Sequence, residues 1–115
     1  MTVINLINVT SITPTTVAGA VTTSRASIID VAADKVAKVN TLMISNIDGT
    51  NAADITVEVS VDNGSNYVAI AKTVSVPADA TLVVVGKDNG FYLDETDILA
   101  VTASAASDLT YLCSF

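Results

Sequence analysis

The chain has no histidine, no tryptophan, one cysteine, two prolines, and only five basic residues against twelve acidic ones. Each scarcity removes a class of function. Without histidine there is no Ser-His-Asp or Cys-His pair and no imidazole ligand for a metal. The lone Cys113 allows no internal disulfide. Lacking a basic partner, it reads as a small buried hydrophobe in a last strand, with an inert thiol. The five glycines are scattered, so there is no Gly-rich loop to cradle a phosphate. A net charge of −7 with no local Lys/Arg cluster repels phosphate backbones and anionic lipid surfaces, which argues against nucleic acid and membrane partners. No apolar run approaches the roughly 20 residues that span a bilayer. Met1-Thr2-Val3-Ile4-Asn5 is not a basic region leading into an apolar stretch, so no secretory signal is read and a cytoplasmic origin is expected. The reading is non-enzymatic, with no cofactor.

What remains is rich in β-branched residues. Half of the 115 residues are apolar, dominated by Val, Ala, Ile and Leu, with many Thr and Ser between them. Such side chains suit a pleated sheet better than a helix. Ile55, Val57, Val59 and Val61 alternate with Thr56, Glu58 and Ser60, the period-two pattern of a half-buried strand. Asp62-Asn63-Gly64-Ser65 follows as a tight hairpin turn, with Asn-Gly supplying positive φ. The return strand, Tyr67 to Val76, is expected to place Val68, Ile70, Val74 and Val76 on one face before Pro77 closes it.

Lys35 to Ile47 is apolar on both faces near its centre and reads as one interior strand. Thr81–Val85, Phe91–Leu93, Ile98–Ala103 and Leu109–Phe115 complete the second half. In the first 30 residues, Val3–Val9 and Thr15–Thr23 are candidate edge strands and Ser27–Val31 another. Val31–Ala37 offers one helical turn. About eight strands at this spacing, with no crossover helix, predict an all-β fold: an antiparallel β-sandwich or jelly-roll-like small barrel forming one domain over residues 1–115.

The candidate chemistry is sparse. Asp94, Glu95 and Asp97 fall in one turn and could offer carboxylates to a hard cation such as Ca²⁺. Their spacing is not that of an EF-hand loop, and such clusters are more often solvated turn residues. Asp48 and Asp54, flanking an Asn-containing turn, are a weaker pair of the same kind. Paired carboxylates for glycoside hydrolysis lack an aromatic cleft around them. Among the aromatics, Phe91, Tyr111 and Phe115 are expected in the core. Tyr67 and Tyr92 are candidates for exposure on a sugar-stacking face.

The run Ala69–Val85, in which a strand ends in Val76-Pro77-Ala78 and an apolar strand follows, is similar to a pattern in virion proteins of tailed bacteriophages. Phe91–Ala105, an apolar lead-in, an acidic turn and a strand ending in Ala and Ser, also looks like theirs. The resemblance spans residues of about 40 to 115 and carries no functional residue. It implies an accessory virion protein, first a capsid decoration (cement) protein on the head lattice and second a tail or neck component. The partners implied are phage capsid or tail proteins, with self-association, a trimer among the forms that fit. In that setting Thr2–Ser27 would serve as an assembly arm, or equally as ordinary edge strands of its own sandwich. A host-glycan-binding β-sandwich module stands as the alternative.

Overall fold

The computed structural model describes residues 10–115. The Val3–Val9 strand expected from the sequence lies outside them. Ten strands make up the described residues: β1 (Thr16–Ala20), β2 (Ala26–Asp30), β3 (Ala37–Val39), β4 (Thr41–Asn46), β5 (Ala53–Ser60), β6 (Val68–Val76), β7 (Thr81–Val85), β8 (Phe91–Leu93), β9 (Ile98–Ala103) and β10 (Leu109–Ser114). All pair antiparallel. Sheet I has the order β1-β10-β4-β7 and sheet II the order β2-β9-β5-β6, with β3-β8 a short ribbon beside them. The all-β antiparallel sandwich is therefore as the sequence predicts.

The two sheets close on one core. Leu42 and Ile44 of β4 and Leu109 and Cys113 of β10 point inward from sheet I, and Ile55 and Val57 of β5 with Leu99 and Val101 of β9 meet them from sheet II. Phe91, Tyr111 and Phe115 pack against this core, where the sequence puts them. At about 25 cal/mol per Å² of buried apolar surface, such aliphatic positions supply the main drive for folding.

Four expectations are corrected. Lys35–Ile47 is not one strand: it breaks at Asn40, whose amide donates to the Ser114 carbonyl at 2.9 Å, so β3 peels off to pair with β8 while β4 enters sheet I. Gly90 permits this branch, because a Cβ there would lie 2.8 Å from the Val39 carbonyl oxygen. Val31–Ala37 forms no helical turn; it is a turn and extended chain, with Asp34 at φ 62°.

The β5–β6 connection is not a two-residue hairpin. Asn63 and Gly64 do take positive φ, 58° and 87°, and the Ser65 amide bonds the Asp62 carbonyl at 3.3 Å. This turn sits inside a longer loop, however, because the last paired residues are Val59 and Val68.

The single apolar face expected for β6 holds for Val68, Val74 and Val76 and is interrupted at Ile70 by two bulges. Between Ile55 and Val57 the partner strand advances from Val74 to Ala71, and between Val57 and Glu58 from Ala71 to Ala69. Each inserts an extra residue, so the period-two phase shifts at the first and is restored after the second. Val68, Val74 and Val76 still pair opposite inward-facing Val59, Ile55 and Ala53, but on this edge strand only Val76 is buried, while Val68, Ile70 and Val74 are exposed. Thr73, at the first bulge, has φ 46° and donates its amide to Thr56 Oγ1 at 3.1 Å.

The region read as a possible arm is built into both sheets from Thr16 onward. β1 pairs with β10 through Thr16–Ala20, and β2 pairs with β9. Thr15 and Phe115 exchange two backbone bonds of 2.7 and 2.8 Å, fixing where the chain enters.

Candidate binding surfaces

The acidic turn comes first. Asp97 Oδ2 accepts the Asp94 amide at 2.9 Å, and Glu95 Oε2 accepts the Asp34 amide at 2.8 Å. The Thr96 amide and the Asp97 carbonyl bond Val31 at 2.8 and 3.0 Å. Glu95 and Asp97 are buried, not solvated as expected for a turn. Two of the turn's carboxylates therefore tie main-chain amides together, pinning the β8–β9 turn to the β2–β3 loop. Carboxylates held this way stabilise otherwise unpaired N–H groups. Among the described residues, no group of three or more Asp, Glu or Cys is placed to hold a metal ion.

Asp48 and Asp54 do separate jobs. Asp48 Oδ1 accepts the Thr50 amide at 2.8 Å and Oδ2 accepts Asn51 Nδ2 at 3.3 Å. These bonds, the Thr50 amide foremost, hold the Asp48 carboxyl below its ordinary pKa. The Asp54 backbone instead bonds Ser104, its amide donating to Oγ at 2.8 Å. Beneath the Asp48 turn lies buried Asn46, which sequence reading passed over. Its Nδ2 donates to the Asn51 and Val76 carbonyls at 3.0 and 2.9 Å, and its Oδ1 accepts the Asp48 amide at 2.8 Å. Cys113 is fully buried, and burial pushes its thiol up to about 11 from 9.0. A protonated, enclosed thiol is a poor nucleophile.

The outer face of sheet II is covered by the chain itself. Arg25, the only arginine, sets its guanidinium 3.9 Å from the centroid of the Tyr67 ring. The same group makes a two-pronged bond to Glu58, Nε to Oε1 at 3.0 Å and Nη2 to Oε2 at 3.1 Å. The β5–β6 loop folds over the same face. Ser60 Oγ donates to Asp62 Oδ1 and accepts the Gly64 amide, both at 2.8 Å. Asn66 donates to both Asp62 oxygens at 2.9 Å, which lowers the Asp62 pKa. A Cβ on Gly64 would stand 3.5 Å from Ile98 Cδ1 and from the Tyr67 hydroxyl. Ile98 and Ala100, whose strand parity points them outward, are accordingly buried. Tyr67, a candidate for exposure, is half-buried with one ring face under Arg25, which removes that face from sugar stacking.

Two surfaces stay uncovered among the described residues. The first is an apolar groove at one end of the sandwich, where β5 finishes, β6 begins and β8 passes. It is lined by Val59, Val61, Val68, Ile70, Phe91, Tyr92 and Leu93. Val61 is 60%, Val68 66%, Ile70 45% and Tyr92 54% exposed. Val61, expected inside β5, falls beyond the strand's end. Lys38 Nζ lies 5.8 Å from the Tyr92 ring centroid. By topology β1 begins at this same end, since β10 ends and β4 and β6 begin there.

The second is the outer face of sheet I. Its register aligns Ala18, Leu112, Met43 and Val83 in one row across all four strands. Ala20, Thr110, Ser45 and Thr81 form the row on one side, and Thr16, Ser114 and Thr41 the row on the other. None of these eleven side chains is charged.

Comparison of the chain with protein-family models, curated proteins and solved structures finds no match. No helix among the described residues is long and apolar enough to cross a membrane.

Proposed function

We propose that the protein is a non-enzymatic structural module of a tailed-phage virion, decorating the assembled head lattice. The observation that carries this reading is the apolar end groove, with Val61, Val68, Ile70 and Tyr92 presented together beside β6, an edge strand among the described residues. Contiguous exposed apolar side chains of this kind mark docking surfaces in soluble folds. The titratable side chains support the same reading from the other direction. Asp48, Asp62, Glu95, Asp97 and Glu58 each hold main chain or another side chain in place. Their bonding is architectural, as expected in a protein that works by shape.

Copy number in purified virions, measured against the major capsid protein, tests the proposal. Decoration predicts copies in proportion to the lattice, with binding to undecorated heads lost in Val68→Asp and Ile70→Asp. A few copies per particle would move the protein to the tail or neck. Complete absence from particles would remove the virion reading.

A further inference from the structure

We propose that the outer face of sheet I is a self-association surface, on which a second copy of this chain packs the same face about a two-fold axis. The inference concerns the free protein and does not depend on the virion reading.

Charge selects the occupant. Two copies of this chain each carry a net −7 and repel one another wherever carboxylates face. The outer face of sheet I is free of charge across three cross-strand rows, so two copies can meet there while their carboxylates stay solvated at the perimeter. A basic partner finds no acidic group on this face to pair with. The corresponding face of sheet II carries Asp30, Asp54 and Glu58, and its middle is occupied by Arg25 and the β5–β6 loop.

The central row is self-complementary. A two-fold axis running along the strands, between β10 and β4, places Leu112 of each copy over Met43 of the other. The same axis places Ala18, the smallest member of the row, over Val83 of the other copy. Sheets packed face to face stand about 10 Å apart with side chains interdigitated, which these residues span. Leu112 and Val83 are 37% and 56% exposed in the single chain, so both have surface to lose. The flanking row is already partly satisfied within one copy, with Ser45 Oγ and Thr81 Oγ1 3.1 Å apart, and therefore loses little on desolvation. Such a contact is isologous and closes at two copies.

Area sets the strength. Four strands about 4.8 Å apart and five residues of about 3.3 Å give a footprint of roughly 320 Å². Even doubled, this is below the roughly 1,200 Å² that stable complexes bury, so the pair forms only at high concentration.

Sedimentation equilibrium of the full chain from about 10 µM to about 1 mM tests the proposal, a range matched to dissociation constants in the weak regime. The expected result is a mass rising from 11.8 kDa towards twice that value. Added salt should strengthen association, because it screens the repulsion between like-charged copies. Leu112→Glu should weaken association at least about tenfold, since it buries an unpaired carboxylate. Val83→Glu, on an edge strand, should do the same and serves if Leu112→Glu fails to fold. Val68→Glu, in the end groove, should leave association unchanged. The proposal is overturned if the chain stays monomeric at about 1 mM in high salt. It is equally overturned if folded Leu112→Glu or Val83→Glu associates like the parent, or if Val68→Glu is the change that abolishes association.

Discussion

On sheet II the outward positions include Asp30, Asp54 and Glu58, and Arg25, Tyr67 and the β5–β6 loop lie over Glu58 and Ile98. On sheet I they carry only Thr, Ser, Ala, Leu, Met and Val, with nothing among the described residues above them. The same sandwich thus finishes its two faces by opposite means. Sheet II buries its outward Ile98 and Ala100 within the chain, and sheet I leaves Leu112 and Val83 in solvent. The contrast separates stability from function. Changes on sheet II should be felt in folding, and changes on sheet I in association.

Tyr67→Ala strips the ring that Arg25 covers and should lower unfolding stability by about 2 kcal/mol, read from urea denaturation; this is less than a fully buried aromatic costs. Gly64→Ala places a Cβ at φ 87°, where L-residues are strained, and should cost about 1 kcal/mol by the same measurement. Leu112→Thr and Val83→Thr, assayed in dilute protein, should stay within about 0.5 kcal/mol of the parent. A loss on sheet I equal to that of Tyr67→Ala would show that both faces serve folding and erase the distinction.

Acid should act on the loops rather than on either sheet face. Asp48 and Asp62 are held below the ordinary carboxylate pKa of 3.8, chiefly by the Thr50 amide and the Asn66 side chain respectively. A depressed folded-state pKa gives stability that is present above the unfolded value and lost as pH falls through the folded one. The denaturation midpoint should accordingly be flat near neutrality and drop below about pH 4. Asp62→Asn should make that drop shallower. An unchanged drop would assign the acid sensitivity to other carboxylates.

How much of this was legible in the sequence depends on whether the information was local. Period-two patterning placed β5, and Asn63-Gly64 announced its positive φ, because alternation and turn chemistry are properties of neighbouring residues. The β6 face was legible for Val68, Val74 and Val76 but not for Ile70, because bulges are set by pairing: nothing within Val68–Val76 states that two residues will be extra opposite β5. The break at Asn40 was hidden for a similar reason, since its cause is a backbone bond to Ser114, far along the chain. The acidic turn was read correctly as a cluster and incorrectly as solvated, because its partners, Val31 and Asp34, lie about 60 residues away. The Arg25–Tyr67–Glu58 clamp was missed altogether; its one sequence signal was that the chain has a single arginine. The uncharged face of sheet I was present only in pieces. Thr16–Ala20, Thr41–Ser45, Thr81–Val83 and Thr110–Ser114 each lack charge, but only the register assembles them into one surface.

Amide chemical shifts recorded against protein concentration distinguish a face closed by the chain from one that takes a second copy. The amide shifts of Ala18, Met43, Val83 and Leu112 should move between about 10 µM and about 1 mM. Ser27, Thr56, Tyr67 and Thr102 of the sheet II face should stay fixed. Movement confined to the sheet II residues, or no movement at any of these positions, would contradict a second copy on sheet I.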